Sequence, residues 1–562
     1  MLRHARRSLL LAALFATACG QGSDDGPQDD CEGAKCDDID DAGDDDRRVC
    51  AAVRGNGQLI FAHFASLARI TEHYGPLWGS AGGSSGSITQ FLLESVQMNP
   101  AVASCGEQPC TRAEQGQRIA LLLKSLTGYA AVLGQTPEAA ALGQLGGIAK
   151  AFKDAGIEAL LQTDPAAAQT ALLDLLQSDD LRDLVNDELV ETITISPDPE
   201  FHVRDIVGAL SQLGAFSVGC TPEQAAMGCN PKAIFVRPGL LDFPALVSKI
   251  GRIADFYAGY GPQDPARMQA WLDGCAEASR DKSWAEIAAL PLGASTCGQE
   301  YTAMVTEYRA AVLAMPDATP QRLGEPIGAQ LSALVSTSVL TGAAVDAFAQ
   351  ARADYLAAQQ YSMPVVFDDV RFGYWGAADD LAQVESNPRG FDDRKTAKFL
   401  SLGTASWGEA LSYSPAEPGL ARALELPEDA YGAAQVSAGG WSDLAPTLVL
   451  ANLGCEEIVY VTRRGDESNF ATGIAAEFGM DDAGRTALYD LDADSSYTRS
   501  LEQADAVWCT DWNNQSATDL AGVFADGYGA PMQADDPFFT GGSDPYPGAQ
   551  AELGIRGCSP GA

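Results

Sequence analysis

Apolar side chains recur at three- and four-residue intervals through residues 59–74, where Phe61, Phe64, Leu67 and Ile70 fall on one face of a helix. Residues 49–53 ahead of it read as a strand. A short apolar step at 76–79 leads into a Gly/Ser cluster. Residues 88–96 then form a second amphipathic helix through Ile88, Phe91, Leu92 and Val96. From about residue 99 to about residue 360 the chain is rich in Ala and Leu with helical periodicity. That periodicity is clearest at 115–126, 168–176, 243–257, 301–313 and 329–360. Beyond it the pattern changes. Residues 364–374 read as a strand through Val365, Val366 and Phe367, and 457–462 as another, after a helix-like run at 446–453. Strand, helix and strand in succession predict an α/β fold that carries a large helical insertion. Phe372, Tyr374 and Trp375 are expected to pack in its core.

Composition leaves this picture intact: 46% hydrophobic residues in a 562-residue chain suit one large domain or a few smaller ones. Charge narrows it. A formal net charge of -40 excludes nucleic acid as a partner, because phosphate binding needs clustered Lys and Arg. It also opposes capture by anionic lipid headgroups. Residues 21–48, with twelve of the 76 acidic side chains, are dominated by Asp and too poor in apolar side chains to order; they read as a solvated tether. Neither 37–46 nor 490–494 completes a calcium-binding loop, since the required Gly and closing Glu are missing.

The N-terminus has a basic start (Arg3, His4, Arg6, Arg7) and a short apolar run, which reads as a signal peptide over residues 1–18. Small residues Ala16, Thr17 and Ala18 directly precede Cys19, and this resembles a bacterial lipobox. The resemblance implies a lipid on Cys19 and, with Gly20 next, an outer-membrane or cell-surface location. An ordinary cleaved signal followed by a cysteine is the alternative. Of thirteen cysteines, twelve remain after Cys19. An even count in an exported chain suggests disulfides. The short spacings Cys31/Cys36, Cys105/Cys110, Cys220/Cys229 and Cys275/Cys297 look like local staples. Zinc is disfavoured because no cysteine cluster has a histidine nearby, so no metal or other cofactor is expected.

Gly82-Gly83-Ser84-Ser85-Gly86 fits G-x-S-x-G. In a strand-to-helix turn this pattern presents a serine hydroxyl at a helix N-terminus, next to amides suited to an oxyanion. A flexible linker is the bland reading, but the amphipathic helix that follows at once is a feature a linker lacks. Arg54-Gly55-Asn56-Gly57-Gln58 is a second glycine-rich turn after a strand, able to offer backbone N–H groups to an anion.

These two turns, the helix between them, Ser414-Pro415-Ala416-Glu417-Pro418 and Gly439-Gly440-Trp441-Ser442-Asp443-Leu444-Ala445-Pro446 follow one another as in the patatin-like phospholipases. The chain resembles that family over roughly residues 49–462, apart from the insertion. The resemblance implies a three-layer patatin-like α/β sandwich over residues 49–515 and a C-terminal extension, 516–562, packed on it. It also implies hydrolysis of acyl esters of phospholipid or a related lipid through a Ser84 acyl-enzyme, with Gly55, Asn56 and Gly57 holding the oxyanion. Two departures stand out. Leu59 and Ile60 occupy the positions of the family's basic residue and final glycine. Ala438 occupies that of its catalytic Asp, which serves as general base. Three readings follow. Asp443 supplies the base, against a role as cap of the helix near 446; a residue from elsewhere serves, although His63, His73 and His202 are the only histidines left; or catalysis is lost and the fold remains as a surface lipoprotein that binds lipid or protein. The insertion is either a lid over the site or a packed helical subdomain.

Overall fold

Val49, Ala51 and Val53 face one side of a central sheet, while Cys50 and Ala52 face the other. Every one of these side chains is buried, as the near-continuous apolar sequence of a covered parallel strand requires. The computed structural model describes residues 47–55, 60–106, 108–133, 156, 159–160, 163–178, 182, 190, 232–233, 243–316, 318–341, 366–367, 370–387, 399–416, 424–425, 434–437, 439, 446–464 and 504–511. Among them one sheet has nine strands: β1 (Val49–Val53), β2 (Gly79–Gly83), β3 (Ser332–Thr341), β4 (Val370–Trp375), β5 (Phe399–Gly403), β6 (Leu424–Glu425), β7 (Ala434–Ser437), β8 (Glu457–Arg464) and β9 (Ala506–Asp511). The main path runs β5-β4-β3-β2-β1-β8-β9. From β3 to β9 neighbours are parallel; β4 is antiparallel to β3, and β5 is parallel to β4. β7 runs antiparallel to β3 and pairs with β6.

Helices cover both faces. On one side lie α1 (Ile60–Tyr74), α2 (Ser85–Gln97), α3 (Arg112–Leu133), α4 (Phe243–Ala258), α5 (Pro265–Cys275), α6 (Cys297–Leu313) and α8 (Trp407–Tyr413), whose apolar residues form one core with Val49, Ala51, Val53, Ala333, Val335 and Val459. On the other side α7 (Ala378–Ser386) and α9 (Thr447–Leu453) pack on Cys50, Ala52, Ala81, Leu334 and Tyr460. The protein is thus a mixed α/β fold with a mostly parallel sheet. Tyr374 and Trp375 are fully buried in it.

The structure corrects the first part of the helical run read at 329–360; residues 342–360 lie outside the described residues. Ser332–Thr341 is β3, the longest strand of the sheet, between β2 and β4. Its Ser-Ala-Leu-Val-Ser-Thr-Ser-Val-Leu-Thr sequence sends Ala333, Val335 and Val339 to one core and Leu334 to the other, with a period of two. The Ala-rich run that follows masked that period. The segment inserted between α2 and β3 therefore closes at residue 331. The expected strand at 364–374 is also offset, because β4 spans Val370–Trp375 while Val366–Phe367 pairs with Lys232–Ala233. Folded contacts begin slightly before residue 49, with Arg47 paired to Glu457 at 2.8 Å.

Two of the expected staples, Cys105–Cys110 and Cys275–Cys297, are disulfides. A third, Cys50–Cys455, joins β1 to the turn between α9 and β8 across 405 residues of sequence, and spacing gave no hint of it. Cys31, Cys36, Cys220, Cys229, the 19–48 tether up to residue 46, the 490–494 segment and the 516–562 extension lie outside the described residues.

Buried charges join the insertion to the sheet domain. Glu94 on α2 is fully buried and accepts hydrogen bonds from Trp407 Nε1 at 2.6 Å and the Gln330 amide at 2.8 Å. Arg322 lies 3.4 Å away, also fully buried, and donates to Ser95 Oγ at 3.0 Å; its backbone amide donates to Asp255 on α4. Burial pushes the Glu94 carboxyl above the usual range, and the Arg322 charge opposes that. Removing one member of such a pair leaves the other charged in a dry site. Arg322→Met is expected to cost about 3–5 kcal/mol in urea denaturation, and adding Glu94→Leu to cost less than the sum of the two single changes.

Lys124 on α3 forms a second such node, bonded to Glu72 of α1 and to the Ser279 carbonyl at 2.9 Å. Desolvation holds its amine down at about 8, although Glu72 pulls the other way. Because the folded value lies below the ordinary 10.5, the folded state releases this proton first as pH rises. The charge-burial penalty is complete below pH 8 and is relieved towards pH 10.5. Stability should therefore rise between pH 8 and 10 by at most about 1.4 kcal/mol per unit, and Lys124→Met should flatten that slope in denaturation curves taken across the interval.

Candidate functional site

β2 consists of Gly-Ser-Ala-Gly-Gly, an unfavourable strand sequence by propensity. Space explains it. A methyl group on Gly79 would come 3.0 Å from the Ser332 carbonyl, and one on Gly82 would come 2.6 Å from Gln90 Nε2 and 3.0 Å from the Val53 carbonyl. Glycine in a strand marks close approach of this kind. The Gly/Ser cluster is accordingly a central strand and its exit turn, and a linker reading no longer applies.

At the end of β2 the chain reverses on Ser84, which has φ 53° and ψ −131° and is one of two non-glycine residues at positive φ among those described. Ser84 is the N-cap residue of α2, yet its side chain makes no capping hydrogen bond. Ser84 is partly exposed at the junction of strand and helix. Its backbone carbonyl instead accepts from the Ser87 amide at 3.0 Å and from Ser87 Oγ at 2.6 Å. Gly86 lets the helix start against β1: a methyl there would lie 2.7 Å from the Val53 carbonyl.

Three other segments meet at this turn. β1 and β2 are adjacent and parallel with Val53 opposite Gly82, so Gly55, two residues past the end of β1, lies beside Ser84. A methyl on Gly55 would sit 3.0 Å from Ser84 Cβ and 3.7 Å from Ser84 Oγ. β3 bears β4 along one edge, so β2 and β7 share the other, with Gly83 opposite Ser336 and Ser437 opposite Ser338. The chain leaving β7 therefore descends onto the end of β2. There Gly439 is buried, and a methyl on Gly83 would meet its backbone at 3.0 Å and Ser336 Oγ at 2.1 Å. The third segment is the end of α8, where Ser414 Oγ accepts the Ser84 amide at 3.0 Å.

No protein-family model, curated protein or solved structure matches this chain.

The structure brings together two of the residues singled out from the sequence, Ser84 and Gly55. Asn56, Gly57, Asp443, Ala438 and Cys19 lie outside the described residues. Among the described residues, no carboxylate or imidazole hydrogen-bonds to Ser84 Oγ. The Nδ1 of His63 is 3.0 Å from Thr89 Oγ1 on the second turn of α2. His73 is exposed near the other end of α1, edge-on to Tyr74, and His202 lies outside the described residues. Ser336 Oγ is buried with no hydrogen-bond partner among the described residues. Arg54, directly before Gly55, is buried and donates its amide to the Val461 carbonyl at 3.0 Å.

Chemically, the arrangement offers a hydroxyl at the positive end of a 13-residue helix beside a glycine turn, suited to attack on a carbonyl whose oxygen becomes negative. Sequence reading missed Ser336, and it treated Ser414 as part of a motif without a role. Among the described residues the one group with metal-ligand proximity is Cys105, Cys110 and Glu114, whose sulfurs are joined in a disulfide.

Backbone strain at Ser84 has a measurable consequence. Relief of an unfavourable φ/ψ is worth about 1–3 kcal/mol, less about 0.4–1 kcal/mol for the added freedom of an unfolded glycine. Ser84→Gly should therefore raise stability by roughly 1 kcal/mol in urea denaturation. Gly83→Ala should lower it by about 1–3 kcal/mol through overpacking against Ser336 and Gly439.

Proposed function

We propose that this chain is a serine acyl-ester hydrolase with a three-layer patatin-like sandwich, acting on phospholipid or a related lipid. The observation that carries the reading is the positive-φ turn at Ser84, held at a strand-to-helix junction with Gly55 against its side chain. Strain of this kind clusters at sites where a reactive group must be held out from the backbone. The Ser84 hydroxyl attacks the ester carbonyl carbon, and backbone amides of the Gly55, Asn56 and Gly57 turn take up charge on the carbonyl oxygen. A base receives the serine proton, the alcohol leaves with a proton from the protonated base, and water hydrolyses the acyl-serine by the reverse transfer. Asp443 is the proposed base.

Three disulfides among the described residues support an exported chain, which fits a lipid anchor on Cys19 and an outer-membrane or cell-surface location. No described helix is long and apolar enough to cross a membrane. The net charge of -40 leaves apolar contact and the anchor as the means of reaching lipid. Ala438 favours a second reading, a surface lipoprotein that binds lipid or protein without turning it over, because alanine cannot accept the proton.

A fluorophosphonate probe separates the two. The hydrolase reading expects covalent labelling of the wild type that disappears in Ser84→Ala, and labelling slowed by about 10²–10⁴-fold in Asp443→Asn. Absence of Ser84-dependent labelling in the folded protein would overturn it and leave the binding role.

A further inference from the structure

Ser414 lies 330 residues from Ser84 in sequence and is fully buried at the end of α8. Its hydroxyl makes two hydrogen bonds whose roles are complementary. The oxygen accepts the Ser84 amide at 3.0 Å, and the single proton is donated to the Ser336 carbonyl at 2.7 Å. Its own carbonyl accepts the Gly439 amide at 2.9 Å, and its amide is bonded to the Ala410 carbonyl at 2.9 Å. One residue therefore touches the strained turn, the strand beside it and the segment descending from β7.

We propose that Ser414 is a positioning residue for Ser84, an inference that rests on the reading of Ser84 as the nucleophile. The hydroxyl bridges two backbone groups that cannot reach each other directly, the Ser84 N–H and the Ser336 C=O, and so maintains the unfavourable backbone angles at position 84. Engaging the Ser84 amide also removes it from the set of oxyanion donors, which leaves the Gly55–Gly57 turn and the first turn of α2 for that task. The Ser414 carbonyl also accepts the Gly439 amide, which ties the segment descending from β7 to the same residue. Alanine at 414 would leave both backbone groups without this bridge while changing side-chain volume little.

The test compares full-length wild type, Ser414→Ala, Ser414→Thr and Ser125→Ala. Ser125 is an equally buried serine on α3, its hydroxyl bonded to the Leu122 carbonyl at 2.7 Å and to the Tyr257 hydroxyl at 3.1 Å, and serves as control for a purely structural loss. Ser414→Ala should slow fluorophosphonate labelling at Ser84 by about 10²-fold, the scale of a misplacement of about 1 Å, and lower kcat for a soluble p-nitrophenyl ester more than it raises KM. Ser414→Thr, which keeps the hydroxyl, should regain most of the rate. Ser125→Ala should label at the wild-type rate even where its urea midpoint falls as far. Labelling of folded Ser414→Ala at the wild-type rate would overturn the proposal. A double-mutant cycle with Ser84→Gly reads the same contact without catalysis. If Ser414 maintains the strain, Ser84→Gly raises the urea midpoint less in the Ser414→Ala background than in the wild type. Additive midpoints overturn the positioning role. A wild type that fails to label while the cycle still shows coupling overturns the hydrolase reading and retains Ser414 as the residue that shapes the turn.

Discussion

Where the ends of β1 and β2 and the chain leaving β7 converge, backbone touches backbone with no room for a Cβ. Gly55, Gly82, Gly83, Gly86 and Gly439 would each bring an added methyl to 3.0 Å or less from a neighbouring atom. The glycines matter here for what they lack, since Gly83 and Gly86 adopt ordinary backbone angles. Their closeness brings the glycine turn after β1 within van der Waals reach of the Ser84 side chain and starts α2 directly on the end of β1. A helix that begins in contact with the sheet has its axis and its positive end determined by the strand before it. The hydroxyl at position 84 inherits that direction.

Such a turn is strained, and strain persists only where the surroundings over-determine it. Here the restraint comes from both ends of α2. At the N-terminus, Ser414 and Ser87 bond the Ser84 amide and carbonyl. Three turns further along, Glu94 is bonded to Trp407 and to the Gln330 amide and paired with Arg322. A buried ion pair of this kind adds little net stability over an apolar packing, because desolvation offsets most of its attraction. What it imposes is register: α2 cannot rotate or slide without leaving a charge unpaired in a dry site. Trp407 and Ser414 belong to the same short segment, α8 and its cap, so one element anchors α2 at both ends.

Long amphipathic stretches were legible from sequence because their period is set by burial of a single face. α4 and α6 contain the runs that periodicity located and α1 all but the first residue of its run, and the short staples Cys105–Cys110 and Cys275–Cys297 followed from spacing. β3 was not legible. A strand buried on both faces alternates between two cores, and next to an Ala-rich run its ten residues read as more helix. β2 was hidden for the opposite reason: close backbone approach selects glycine and serine, the residues that otherwise signal a loop. Ser336 and the role of Ser414 depend on contacts between segments far apart in the chain, and no local pattern encodes them. Cys50–Cys455 is the same case at a separation of 405 residues. At the site itself, G-x-S-x-G and the glycine turn were readable because sterics there dictate residue type.

The identity of the proton acceptor is constrained by chain length. Gly439 lies against the end of β2, and Pro446 precedes α9 on the opposite face of the sheet. A base proposed at Asp443 is four residues from Gly439, so its Cα can be at most about 14 Å away, and the chain must also turn back to reach Pro446. A limit of the same kind applies to any base drawn from residues 440–445, whatever the insertion does. His63 faces a different constraint. Its Nδ1 is engaged at Thr89, five residues beyond Ser84 and about 7–8 Å up the axis of α2. An imidazole there would have to give up a buried hydrogen bond to approach the nucleophile.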